Sequence, residues 1–482
     1  MRTATLIARD ELRLMYRNRV ALLSLGLMLL LTFTSSITSW THQQDISELR
    51  ERFQVDANEA FEHQPDRHPH RVVHYGHFVF RPLGELAAFD PGVDSFTGNA
   101  MYLEGHRQNS ANFGDVRQSS LLIRFGQLTP AFVLQTLAPL LLIFLGYGAV
   151  TRERERGTLR QLLAQGVTPG ALLAGKGLAL TALAAMILLP SLLTFTFIAS
   201  QPGSAWQLLI AIAAGYSLYL LLWATIVLLV SATTRRSRDS LLGLLTLWTL
   251  TVILLPRIAP DIAGNAQPLS SRLETDIALQ NELRQTGDSH DPNDPFFAAF
   301  KQRILNQYGV ERIEDLPVNY KGLLAVEGEK LTSSLFDRHA RESYETQIAQ
   351  SGIMDRFGLL SPAIALKRLS MAAAGTDLAG HQRFIEQAEA FRFAFVQQLN
   401  QLQADAVSYT DDIASDADAI AAQRKRVSAD NWQSIPEFKF QPASSGELLR
   451  SALPAAAMLA LWLVVALILL APASRHVGRA LR

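Results

Sequence analysis

Residues 151–176, TRERERGTLRQLLAQGVTPGALLAGK, form a charged, helix-prone stretch between two long apolar runs, 128–150 and 178–199. Charges at the centre of a bilayer are costly, so the stretch is expected outside hydrocarbon, as a loop joining two membrane-crossing helices. It holds five basic residues, Arg152, Arg154, Arg156, Arg160 and Lys176. Short loops rich in Lys and Arg stay on the cytoplasmic side, and this loop is placed there.

Toward the N-terminus, residues 1–19 carry five arginines against Asp10 and Glu11, with Ala4, Ala8, Leu12 and Met15 at helical spacing. That pattern predicts an amphipathic helix on the membrane surface. Val20 to Trp40 supplies the roughly 20 apolar residues a crossing helix needs, with Trp40 at the far interface. The long n-region with two acids and the lack of an Ala-x-Ala site favour an uncleaved helix over a signal peptide. Residues 41–127 read as an outer domain of mixed structure. Within it, 63–77 (HQPDRHPHRVVHYGH) is too rich in Pro, His and Arg for a regular helix. Turn signals follow at Asp90-Pro91-Gly92 and Thr97-Gly98-Asn99.

Toward the C-terminus lie apolar runs 206–232 and 241–256, the first of them joined to 178–199 by Gln201-Pro202-Gly203-Ser204, a tight hairpin turn. The run 241–256 is the shortest and ends at Pro256-Arg257; it spans as 241–258 with Arg257 snorkelling. Residues 259–447 are polar and numerous enough for a domain of their own. There Phe384, Ala388, Phe391, Phe395, Leu399 and Leu402 recur every three or four residues, which predicts a helix with one buried face. Helix breaks are expected at Asp291-Pro292, Asp294-Pro295, Leu316-Pro317 and Ser361-Pro362. A last run, 451–470, precedes a basic tail.

The fold class expected is an α-helical integral membrane protein with six transmembrane helices, 20–40, 128–150, 178–199, 206–232, 241–258 and 451–470. A mixed outer domain (41–127) and a mostly helical one (259–447) complete it. The charges agree. Segments 1–19, 151–177, 231–240 and 471–482 hold 16 Lys/Arg against five Asp/Glu, whereas 41–127 and 259–447 hold 26 against 39. By the positive-inside bias both termini are cytoplasmic and both large segments periplasmic, in a bacterial inner membrane.

Several chemistries drop out. The chain has no cysteine, hence no disulfide, thiolate site or cysteine nucleophile. The apolar runs hold almost no ionisable residue, which disfavours proton- or ion-coupled transport. No Ser/His/Asp set, HExxH or paired-carboxylate pattern stands out in the outer segments, so a non-catalytic subunit is expected. Gly170 to Lys176 fits the first seven positions of a phosphate-binding loop. The eighth, however, is Gly177 in place of Ser or Thr, and no strand precedes it. Nothing here calls for nucleic acid. Five of the eleven histidines (His63, His68, His70, His74, His77) crowd into 15 residues. His68, His70, His74 and His77 are the candidate metal ligands, of a type that binds Zn or Cu. The competing reading pairs Glu62 and Asp66 with Arg67 and Arg71.

The order Glu153-x-Glu155-x-Gly157-Thr158-Leu159 resembles the cytoplasmic coupling segment of ABC-2-type transporter permeases, whose short helix docks in a cleft of a separate ATPase. Glu153 and Glu155 match the glutamates that close the second span, Gly157-Thr158 the small pair after them, and Gly175-Lys176 a pair opening the third span. Leu162 and Leu163, after Leu159 of the motif, are expected to form an exposed apolar patch, and all three to serve the coupling to the partner groove. The resemblance implies a partner ATPase that binds ATP and Mg, with no cofactor in this chain. It also implies a second permease copy or a related permease as dimer partner, contact with membrane lipid, and a periplasmic partner. The two outer insertions, with His74-Tyr75-Gly76 and Arg124-Phe125-Gly126, look like the branch whose outer part is a domain of unknown function numbered 3526. That branch is related to permeases of gliding-motility and nitrous-oxide-reductase maturation systems. The alternative is a membrane-anchored adaptor or signalling protein whose outer domains bind a partner or metal without ATP.

Overall fold

The computed structural model describes residues 2–112, 128–201, 204–287, 291, 294–415 and 417–479. Pro202-Gly203, Arg124-Phe125-Gly126, Pro292 and the tail from 480 lie outside the described residues. The chain is α-helical, and among the described residues six helices are long and apolar enough to cross a membrane: Arg19–Glu62, Pro130–Glu155, Pro169–Ala199, Trp206–Thr233, Ser237–Ala266 and Ser445–Gly478. They are called the first to sixth apolar helices below.

The first of these does not end at Trp40. From 41 to 62 the chain contains no Gly or Pro, so nothing stops the helix and it continues to Glu62. At 1.5 Å per residue, 44 residues make a rod about 66 Å long, twice the thickness of a bilayer core. Its far half carries the outer domain. Gln43 Nε2 donates to Gly84 O at 2.6 Å, and Arg50 Nη1 donates to Arg81 O at 3.0 Å. Phe80 N donates to Gln54 Oε1 at 2.9 Å. These bonds seat the antiparallel pair of β1 (His77–Phe80) and β2 (Ala100–Leu103) against the rod.

The fifth apolar helix corrects a second expectation. It runs 30 residues and passes through Pro256 and Pro260. A π-helical turn, Thr249–Leu254, sits just before Pro256 and relaxes the backbone where the missing proline N–H would break an α ladder. A matching π turn, Val133–Leu137, lies in the second apolar helix. Carbonyls in and beside these turns are taken up by side chains of other helices. Trp248 Nε1 donates to Thr136 O at 3.1 Å, Tyr219 Oη to Gln135 O at 2.8 Å, and Ser361 Oγ to Thr251 O. Irregular backbone in an apolar bundle is tolerated when neighbours satisfy it in this way.

One short helix of the 259–447 region is not in the outer layer. Ser361 caps Pro362–Ala374, whose residues are nearly all buried, and it wedges between the fourth and sixth apolar helices. Gly215 makes room for it: a Cβ there would lie 2.8 Å from Leu369 Cδ2. The rest of the outer domain packs around Leu378–Ala406. Phe384, Ala388, Phe395 and Leu399 share a core with Val72, Val73, Met101, Leu103 and Trp432, and Phe391 and Leu402 flank it. The predicted amphipathic face is thus the one that gathers both insertions.

Asp412 ties the edges of this domain. It accepts from His68 Nε2 at 3.1 Å, Asn319 Nδ2 at 2.7 Å and Gln403 Nε2 at 2.9 Å. Burial alone would raise its pKa, but the bonds from His68, Gln403 and Asn319 outweigh it and hold the carboxyl below the ordinary carboxylate range. A depressed folded-state pKa stabilises at neutral pH, and that contribution is lost as pH falls through the ordinary value, about 4, and below. Asp412→Asn is expected to cost about 1–3 kcal/mol at pH 7. The gap to the parent should close below about pH 4, read as melting temperature against pH.

Candidate functional site

The second apolar helix outlasts its apolar run and reaches Glu155. It stops at Gly157, which adopts φ +75, a left-handed conformation that costs any other residue type. Helix Thr158–Ala164 follows. Thr168 then caps the third apolar helix, its hydroxyl accepting from Ala171 N at 3.2 Å, with Pro169 in the first turn.

Glu153 and Glu155 both act as ties, the first half-buried and the second at the exposed edge. Glu153 accepts from Lys176 Nζ at 3.2 Å and from the Thr158 hydroxyl. Lys176 is itself buried and pairs with the equally buried Glu11 of the N-terminal helix Arg2–Arg17. Beside it, a Cβ on Gly175 would fall 2.6 Å from Ile7 Cβ and 2.7 Å from Ala4 O, so only glycine lets that helix lie so close. The Gly175-Lys176 pair therefore works as a seat and a clasp. Glu155 accepts from Ser237 N at 2.8 Å and Ser237 Oγ at 2.6 Å, at the start of the fifth apolar helix. Arg154 donates to Ala232 O at 3.0 Å and to Thr234 O. The sixth apolar helix joins them, with Gly478 against Pro169. Four basic segments distant in sequence thus meet at one end of the bundle.

The leucines correct the docking expectation. Leu159 and Leu163 are buried in the bundle core, and Leu162 is half-buried and packs on it. Residues four apart share a helix face, and this face anchors the helix. The outward face is polar: Arg156, Arg160, Gln161 and Gln165 are exposed. At the opposite end of the bundle, a cavity of about 900 Å³ opens where the outer domain meets the fourth and sixth apolar helices. Leu83, Leu208, Phe440 and Leu448 line it together with Arg81 and Arg383.

The histidines divide. Residues 69–75 form a two-turn helix after all, because Pro69 takes its first position and the His68 ring accepts from His70 N at 3.1 Å. His70 and His74, four apart, meet at 3.1 Å between their Nε2 atoms. Burial, then the neighbouring His74 and His106, lowers the His70 pKa to about 3, so the ring is neutral. His68 turns away to Asp412. His77 is buried on Phe61, and that burial lowers its pKa to about 4. Neither joins the cluster. The third member is His106, absent from the sequence reading because it lies more than thirty residues beyond His74; only the β1–β2 pairing brings it back. Of the acids and arginines in the competing reading, Asp66 accepts from Ala429 N at 2.9 Å, and Arg67 lies over the Tyr75 ring.

Beneath the cluster sits a buried charge network. Arg392 uses all five donors: Nη1 to Glu329 Oε1 at 2.6 Å and Glu104 O at 3.1 Å, Nη2 to Ser333 Oγ at 2.7 Å and Glu389 Oε1 at 2.6 Å, and Nε to Glu389. Burial raises the Glu389 pKa, only partly offset by Arg392.

Residues 272–441 match the model of a family described as a domain of unknown function, DUF3526. The match is consistent with the branch suggested by architecture and covers less than half of the chain, including helix Pro362–Ala374, Glu329, Arg392 and Asp412. No curated protein matches the chain.

Proposed function

We propose that this chain is the membrane-spanning permease subunit of an ATP-binding-cassette transporter of the ABC-2 type, an exporter or mechanotransmitter. It resides in a bacterial inner membrane with both termini cytoplasmic, as a dimer with a second copy or a related permease. The observation that carries the reading is the construction of the 151–176 segment. A short helix presents Arg160 and Gln161 to solvent, with Arg156 exposed just before it. Its base is tied to the N-terminal helix through Glu153 and Lys176, and to the fifth apolar helix through Glu155. A push on such a helix reaches the N-terminal helix, the third apolar helix that carries Lys176, and the fifth at once. A partner ATPase with ATP and Mg supplies the push, and the large cavity at the outer end is the space whose shape the motion changes.

The test is co-purification from native membranes in mild detergent, with ATP hydrolysis assayed on the product. The parent is compared with Arg160→Glu/Gln161→Glu, which alters the outward face, and with Glu155→Ala, which loosens its tie. A P-loop ATPase recovered with the parent, lost at least tenfold with the charge reversal, and retained but uncoupled with Glu155→Ala supports the reading. The chain has no cysteine, so Arg160→Cys supplies a single thiol for cross-linking to that ATPase. No ATPase with the parent would favour the membrane-anchored adaptor.

A further inference from the structure

We propose that His70, His74 and His106 form a binding site for a divalent transition-metal ion of the Zn class, with Glu329 as its outer-shell carboxylate. The site does not depend on the transport reading. The three imidazoles each offer a ring nitrogen within 4.8 Å of the other two. His70 and His74 lie on one face of Pro69–Tyr75, one turn apart, with Nε2 atoms 3.1 Å apart. Two ligands about 2.0–2.1 Å from a tetrahedral ion stand about 3.3 Å apart, so binding needs only a small adjustment of these rings.

His106 arrives from the other side, on the turn after β2, and its backbone takes φ +63. For a residue other than glycine that conformation is uncommon and requires support from its surroundings. Glu329 supplies it. One carboxylate oxygen accepts from His106 N at 3.1 Å and lies 3.6 Å from Nδ1 of the same ring. The other oxygen is held by Arg392, which also grips Glu104 O two residues before His106. With Nδ1 turned toward Glu329, Nε2 is the nitrogen assigned to the ion. A carboxylate behind a metal-binding histidine fixes the ring and raises its basicity.

Three imidazoles without thiolates suit Zn or Cu over Mg or Ca. His74 is exposed, so the fourth position of a tetrahedral ion opens to solvent and takes water or a ligand group. Bound metal would clamp the first insertion, through Pro69–Tyr75 and the turn at His106, onto the 272–441 region, through Glu329.

The experiment is calorimetric titration of the full chain, purified without a polyhistidine tag, with Zn²⁺ and with Mg²⁺ as the control. One Zn²⁺ per chain with no Mg²⁺ response is expected. His106→Ala should weaken binding at least tenfold, and His70→Ala/His74→Ala should abolish it. Glu329→Gln should weaken it about 10–100-fold. His106→Ala leaves the buried network intact, so its metal-free melting temperature is expected to match the parent and serves as the folding control. Parent melting should rise with Zn²⁺ concentration, as it must when a ligand binds the folded state only. Absence of saturable Zn²⁺ binding, or binding that His106→Ala leaves unchanged, overturns the site.

Discussion

Lys176→Met is expected to release the N-terminal helix and to cost about 3–5 kcal/mol, the usual penalty for removing one partner of a buried ion pair. Lys176 and Glu11 are each under a tenth exposed. With the ammonium gone, Glu11 keeps a charge in a pocket built to neutralise it, and Glu153 loses one of its two ties. The contact of Gly175 with Ile7 gives little in return, because it depends on the helix lying flat. Thermal unfolding in detergent and trypsin cleavage at Arg13 and Arg17 measure the effect. The double change Glu11→Gln/Lys176→Met removes both charges and is expected to recover most of the loss, since replacing a whole buried pair by uncharged groups is often close to neutral. The cycle of single and double variants isolates the pair itself. A loss under ~1 kcal/mol for Lys176→Met, the range of exposed pairs, would mean that the clasp is open to water.

Arg392→Met is expected to be the most damaging single change in the outer domain, at about 3–5 kcal/mol or more. It strips the cation from two buried carboxylates, Glu329 and Glu389, and removes the donors to Ser333 Oγ and Glu104 O. The loss depends on pH. Burial already raises the Glu389 pKa against the pull of Arg392; without Arg392 it rises further, so the folded state binds more protons there than the unfolded one. Stability then falls as pH rises through and above the ordinary carboxylate range. The deficit against the parent should be widest near neutrality and narrow toward about pH 4. Because Glu329 also orients His106, the variant should lose Zn²⁺ affinity in step, whereas a domain merely weakened elsewhere would not.

Much of this was written along the chain. Six apolar runs of sufficient length give six helices, because buried backbone in an apolar medium must satisfy itself locally. The face of Phe384, Ala388, Phe395 and Leu399 was legible for the same kind of reason, since helical period is a local property. Chain-terminating signals are less legible. The apolar run that ends at Pro256-Arg257 predicts a span closing at 258, yet the neighbouring π turn absorbs the proline and the helix runs on to Ala266. The Pro, His and Arg content of 63–77 predicts no regular helix, yet Pro69 sits at the first helical position, where its missing N–H costs nothing.

The sequence by itself determined the helical class, the number of apolar helices and the segregation of basic and acidic segments, all properties of composition and period. Only the tertiary structure decided which side of a helix faces in. Leu159 and Leu163 turned out to anchor the 158–164 helix, leaving its polar face outward. It also decided which distant residues meet. Lys176 finds Glu11 across 165 positions, and His106 reaches His70 and His74 only after two strands pair. Spacing along a chain constrains partners within a few residues, where backbone geometry fixes distance. Beyond that, partnership is set by how whole elements pack, and no local pattern encodes it.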